Sequence, residues 1–168
     1  MKSTHVVGFV AACVAGYCAA HPSESWAAYR TMHALNCLVQ GGGTEGINSA
    51  MQVYNPSASS NLVLMCPMVS DTSMSTNATT AGAEVDGWQS SSNGVQVVSC
   101  VTWQAGGGAG GKCDSAIAQL GGSNTAFQMK FTPTSWKTAG SGDYAYLMIA
   151  VLPMVAGANV VFGYALSN

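Results

Sequence analysis

Two stretches of this chain carry residue types at spacings that could do chemistry. The first is "QAGGGAGGKCDSAIAQL", from Gln104 to Leu120, in which Gly106 to Cys113 fits G-x-x-x-x-G-K, the glycine-rich turn that cradles phosphates. That chemistry also needs a hydroxyl after the lysine to reach Mg²⁺, a long helix behind it and a parallel sheet beneath. Cys113 stands where the hydroxyl belongs, "DSAIAQL" is too short for the helix, and no apolar strand ends in a second magnesium-binding aspartate. The stretch therefore reads as a flexible crossing between strands, pinned at Cys113. The second stretch places Glu84 and Asp86 at period-two spacing, which puts both carboxylates on one strand face. A glycosidase could use such a pair, and a solvated edge explains it equally well.

Other catalytic groups are scarce. The chain has no G-x-S-x-G, no H-E-x-x-H and no calcium loop, and His33 is the only clearly embedded histidine. His33, Asp71 and a serine could form a hydrolytic triad, which only geometry can reveal; the plainer reading of His33 is a polar residue near Cys37. Asp86 and Asp143 border turn residues, where carboxylates commonly hydrogen-bond the local backbone. Binding chemistry rests on Trp26, Trp88, Trp103 and Trp136. Trp103 lies in a strand and is expected in the core. Trp88 in "DGWQSSSN" and Trp136 in "TPTSWKTAG" adjoin turn signals, so they are the candidates for exposed sugar-stacking platforms, although rings at such positions more often seal the end of a sandwich.

The elements that must position these groups are strands. Period-two alternation marks Ser49 to Asn55, Asn61 to Cys66, Gly94 to Trp103, Ala126 to Thr132, Tyr144 to Leu152 and Asn159 to Leu166. Gly, Pro, Asn and Ser clusters separate them, as turns require, and the first two runs look like a hairpin. Many short strands with such loops predict an all-β antiparallel sandwich, jelly-roll-like in one form, spanning residues 49–168. "YAYLMIAVL" is apolar on both faces, as a central strand covered on both sides would be; an exposed one would predict oligomerisation. Residues 21–48, including "SESWAAYRTMHAL", have poor helical spacing and read as an irregular N-terminal arm.

Residues 1–20 read as a secretory signal peptide: Lys2 precedes the apolar run "VVGFVAACVAGYCAA", which ends in small residues and is too short to span a membrane. The alternative is a lipoprotein box, "VAAC", acylated at Cys13. No later stretch is long and apolar enough for a transmembrane span. Charged residues make up 7% of the chain, against roughly 25% in an average soluble protein, so solubility must come from neutral polar side chains. Without Lys2, four basic residues face seven acidic ones and no basic cluster exists, which argues against a nucleic-acid partner. Cys37, Cys66, Cys100 and Cys113 remain after cleavage, an even count that reads as two disulfides with three possible connectivities. A metal site is disfavoured because no C-x-x-C pair is present.

"HALNC" (His33 to Cys37), "YNPSASSNLVLMCPM" (Tyr54 to Met68), "VVSCVTW" (Val97 to Trp103), "YLMIAVLP" (Tyr146 to Pro153) and "FGYAL" (Phe162 to Leu166) together resemble a group of uncharacterised secreted bacterial proteins, abundant in myxobacteria. The resemblance implies a disulfide-bonded β-sandwich. The late strand of that group usually carries a cysteine where this chain has Ala150, expected to pair with the equivalent of Cys100. Cys113 becomes the substitute partner of Cys100, and the resemblance then implies a second bridge between Cys37 and Cys66. Met68 and Val69 also stand where the group commonly has a basic residue before aspartate.

These readings give an exported, non-catalytic sandwich with a structural or surface role as the leading expectation. A carbohydrate- or cell-surface-binding module using exposed aromatics is the alternative, and a small secreted hydrolase comes third. No cofactor and no metal are expected.

Overall fold

Alternating side chains become strands wherever one face can be buried, and here two such surfaces bury against each other. The computed structural model describes residues 29–69, 81–90, 93–105, 108–120, 124–138, 143–153 and 159–167. Its strands are β1 (Tyr29–His33), β2 (Leu38–Gly41), β3 (Gly46–Ile47), β4 (Val53–Tyr54), β5 (Leu62–Pro67), β6 (Gly82–Gln89), β7 (Asn93–Ala105), β8 (Gly108–Cys113), β9 (Ile117–Leu120), β10 (Thr125–Phe131), β11 (Tyr144–Val151) and β12 (Val160–Ser167). Two short 3-10 turns, Ala34–Asn36 and Ser135–Thr138, are the only helical segments among the described residues.

The strands form two six-stranded antiparallel sheets packed as a sandwich. Sheet A runs β10-β6-β12-β4-β3, with β1 also on β12; sheet B runs β2-β5-β11-β7-β8, with β9 also on β7. The inner faces supply Val53, Val85, Val161, Tyr164 and Leu166 from sheet A, and Leu62, Leu64, Val97, Leu147, Ile149 and Val151 from sheet B, all buried. Each such side chain contributes roughly 1.5–3 kcal/mol of burial, which is why the alternation specifies the register. The Tyr164 hydroxyl crosses the core to donate to the Pro67 carbonyl of sheet B at 3.1 Å, and burial pushes its pKa up to about 12.

Two disulfides join Cys37 to Cys66 and Cys100 to Cys113, the pairing that the resemblance implied. The first ties the chain just before β2 to β5. The second crosses directly between β7 and β8, where the two cysteines are register partners.

Several expectations are corrected. The described part of the N-terminal arm is not irregular: β1 adds to sheet A, β2 to sheet B, and β3 to β4. Its alternation is broken by the 3-10 turn at Ala34–Asn36, so no single period runs through it. The segments expected to pair as a hairpin, β4 and β5, belong to different sheets. Asn55 explains the crossing: its buried amide donates to the Ser60 and Val151 carbonyls, both at 2.8 Å, and its oxygen accepts from Ser57 N–H. The glycine-rich stretch is a strand rather than a crossing, since β8 pairs with β7 from Cys100↔Cys113 to Ala105↔Gly108. A Cβ at Gly110 would lie 2.6 Å from the Trp103 indole nitrogen, so glycine is what lets that ring lie across the neighbouring strand. Finally, β11 is central, between β5 and β7, but its outer side is open: Tyr144 is 72% exposed and Tyr146 and Met148 are half-buried. The signal-peptide residues and Cys13 lie outside the described residues.

Candidate functional site

Strand β6 carries the chemistry. Ala83, Val85 and Gly87 face the core, which directs Glu84, Asp86 and Trp88 to the outer face of sheet A. The pair does not sit on a solvated edge, as β6 lies between β10 and β12, nor does Asp86 border a turn: it is in mid-strand. Register sets Lys130 opposite Glu84, Gln128 opposite Asp86, and Ala126 opposite Trp88. Ala126 is small and exposed, and Trp88 keeps 38% of its surface open.

Glu84 is buried, and two donors converge on it: Gln128 Nε2 on Oε1 at 2.6 Å and Lys130 Nζ on Oε2 at 3.4 Å. Asp86 is less enclosed and behaves differently. Burial first, then the Glu84 charge and a hydrogen bond with Glu84, hold its carboxyl above the ordinary aspartate value, against weaker lowering by Gln128 and Lys130. Each of two carboxyl groups sharing a site disfavours the other's ionisation, which adds to the upward shift of Asp86.

On the other side of β6, β12 makes room. Its register with β6 slips between Val161 and Gly163, so Phe162 is the extra residue of a β-bulge. Gly163 follows, between His33 of β1 and Asp86 of β6. A Cβ there would come within 2.8 Å of the Met32 carbonyl, so glycine is needed for β1 to approach. Thr31, His33, Asp86, Phe162 and Gly163 consequently line one recess of about 500 Å³. A second recess of about 320 Å³ lies on the Glu84 and Lys130 side. His33 accepts from Leu35 N–H through Nδ1 at 3.2 Å, so in its neutral form the proton sits on Nε2.

The other candidates separate from this cluster. Trp136 is corrected from platform to core: it is fully buried, and its indole N–H donates to the Cys100 carbonyl at 2.9 Å. The cause is Asp114, between β8 and β9. Its carboxylate accepts from Ser99 Oγ at 2.6 Å, from Thr134 N–H at 2.9 Å and from Thr134 Oγ1. It also accepts from Ser135 N–H at 2.8 Å and from Ser135 Oγ at 3.0 Å. These bonds pin the segment before Trp136 against β7 and turn the ring inward. Trp103 is partly buried against the core. Asp71 and Trp26 lie outside the described residues, and no serine lines the His33–Asp86 recess among those described. Among the described residues no group of three or more His, Cys, Asp or Glu could hold a metal ion.

Sequence reasoning paired Glu84 with Asp86 on one strand face and singled out Trp88 separately, without Gln128 and Lys130. What it missed is that all five meet. The signal was present as i, i+2, i+4 spacing in "EVDGW", but the inward residues of β6 are small, so the hydrophobic contrast that announces a strand is weak. The comparisons add no further constraint: no family model, no curated protein and no solved structure matches this chain.

Proposed function

We propose that this chain is an exported, non-catalytic β-sandwich whose sheet A outer face binds a neutral polyhydroxylated ligand, a glycan of the cell surface or its surroundings. One observation carries the reading: Trp88 lies open on the same strand face as Glu84 and Asp86, with Gln128 and Lys130 alongside. A sugar ring offers an apolar C–H face to an indole and hydroxyls that both donate and accept. The cluster is matched to that, since Asp86, Gln128 and Lys130 supply both kinds of partner with little net charge. Glu84 acts as a positioning residue that orients Gln128 and Lys130. The two disulfides support an oxidising, extracytoplasmic compartment, and the short motifs shared with secreted bacterial proteins point the same way.

Titration calorimetry of the mature protein against a panel of neutral oligosaccharides tests the site. Trp88→Ala is expected to weaken binding roughly tenfold or more, with Trp88→Phe retaining part of it. Binding that ignores Trp88→Ala, or no binding across the panel, removes the glycan reading.

A further inference from the structure

The opposite side of the molecule carries a third recess of about 520 Å³, of a size that takes a small organic molecule. It lies at one end of the outer face of sheet B. That face is apolar along its register: Leu38, Met65, Met148 and Val98 form one row, and Pro67, Tyr146, Cys100 and Cys113 the next. At the recess Met65, Pro67 and Met68 meet Tyr144 and Tyr146, and Asp143 is the one charged side chain among the described lining residues. Tyr144 and Tyr146 are two apart on β11 and share its outer side, the first exposed and the second half-buried.

We propose that this recess binds a small organic cation of the quaternary ammonium class. Aromatic faces attract a cation through the ring quadrupole, and methionine sulfur adapts to a bulky methylated head. A carboxylate at the rim neutralises the charge. Asp143 already holds another interaction, which leaves this assignment intact because a carboxylate has lone pairs for more than one partner. An anion would meet Asp143 unfavourably, and although Thr102 and the two tyrosines add hydroxyls, the thioethers, proline and aromatic rings of the lining favour a methylated cation over a sugar. This site is independent of the glycan reading, being on the other sheet.

The experiment is titration of the full mature protein with tetramethylammonium and with choline, alongside dimethylbutanol, the neutral carbon isostere of choline. The ammonium probes are expected to bind and the alcohol to bind at least severalfold more weakly. Tyr144→Ala, at an exposed position that leaves folding intact, is expected to weaken choline roughly three- to tenfold, and Asp143→Asn by a similar factor. Equal binding of choline and the alcohol would make the recess a plain apolar pocket and overturn the proposal. So would absence of ammonium binding, or choline binding unchanged in Tyr144→Ala. Should Asp143→Asn alter the fold, as read by near-ultraviolet circular dichroism, the Tyr144 variant and the isostere comparison still decide.

Discussion

Asp114 and Asp86 are both partly buried aspartates, one on each sheet of the sandwich, and the protein treats them in opposite ways. Asp114 is surrounded by donors from Ser99, Thr134 and Ser135. Partial burial alone would raise its pKa, but those hydrogen bonds outweigh it and bring the value down to about 2. Asp86 shares its surroundings with another carboxylate, and burial and Glu84 push its pKa the other way. The first carboxylate is a structural fastener, ionised and saturated. The second keeps hydrogen-bonding capacity at an accessible surface, beside an open indole and a recess. Donors from Ser99, Thr134 and Ser135 on one side, burial and the Glu84 carboxylate on the other, separate the two.

Removing Asp114 should have the largest effect. Asp114→Ala strips several N–H and O–H groups of their acceptor and releases the segment that buries Trp136. A loss of about 2–4 kcal/mol is expected, read as a lower urea midpoint at neutral pH. A loss under about 0.5 kcal/mol would mean that Asp114 is no fastener and the contrast fails.

The pH dependence should show the two aspartates with opposite slopes. Asp114 has a depressed folded pKa, so its contribution is present above the ordinary aspartate value near 3.8 and is lost as pH falls through about 2. Asp86 has a raised folded pKa, so its contribution is complete below 3.8 and is lost as pH rises through the folded value. Stability measured by urea unfolding across acidic pH should therefore climb and then sag. Asp114→Asn should flatten the climb. Asp86→Asn, which mimics the protonated form, should remove the sag and change neutral-pH stability by only a few tenths of a kcal/mol, because solvent screens this site. A sag that survives Asp86→Asn would assign it to another group.

The smallest effect belongs to Lys130. Its side chain is 57% exposed where it meets Glu84, so Lys130→Gln should cost about 0–0.5 kcal/mol. It should nevertheless weaken glycan binding if Glu84 holds Lys130 in place as a donor. A stability loss without a binding loss would make the pair structural and bring Glu84 closer to Asp114 in kind.

Much of the fold was legible in the chain. Alternation or a bounded apolar run located β5, β7, β10, β11 and β12 to within a residue or two, because each carries a bulky inward face. It passed over β6, whose core face is built of Ala83, Val85 and Gly87, and over β8, whose inward and outward positions are largely glycine. It offered Trp136 as a candidate platform beside the commoner sealing role because neighbouring turn residues are a local signal, and the Asp114 clamp that decides for burial comes from 22 residues earlier in the sequence.

The sequence by itself determined that this is an all-β domain with six cysteines, few charges and a scarcity of catalytic groups, since composition and period-two spacing are properties of the linear chain. Only the tertiary structure decided which strands share a sheet, that β4 and β5 part company, and that His33, Asp86 and Phe162 line one recess while Asp143 and two tyrosines line another. The physical reason is that a strand's own pattern states which face is buried but not which partner strand lies beside it. Sites on a sheet face are assembled across partners, from residues that no local spacing connects.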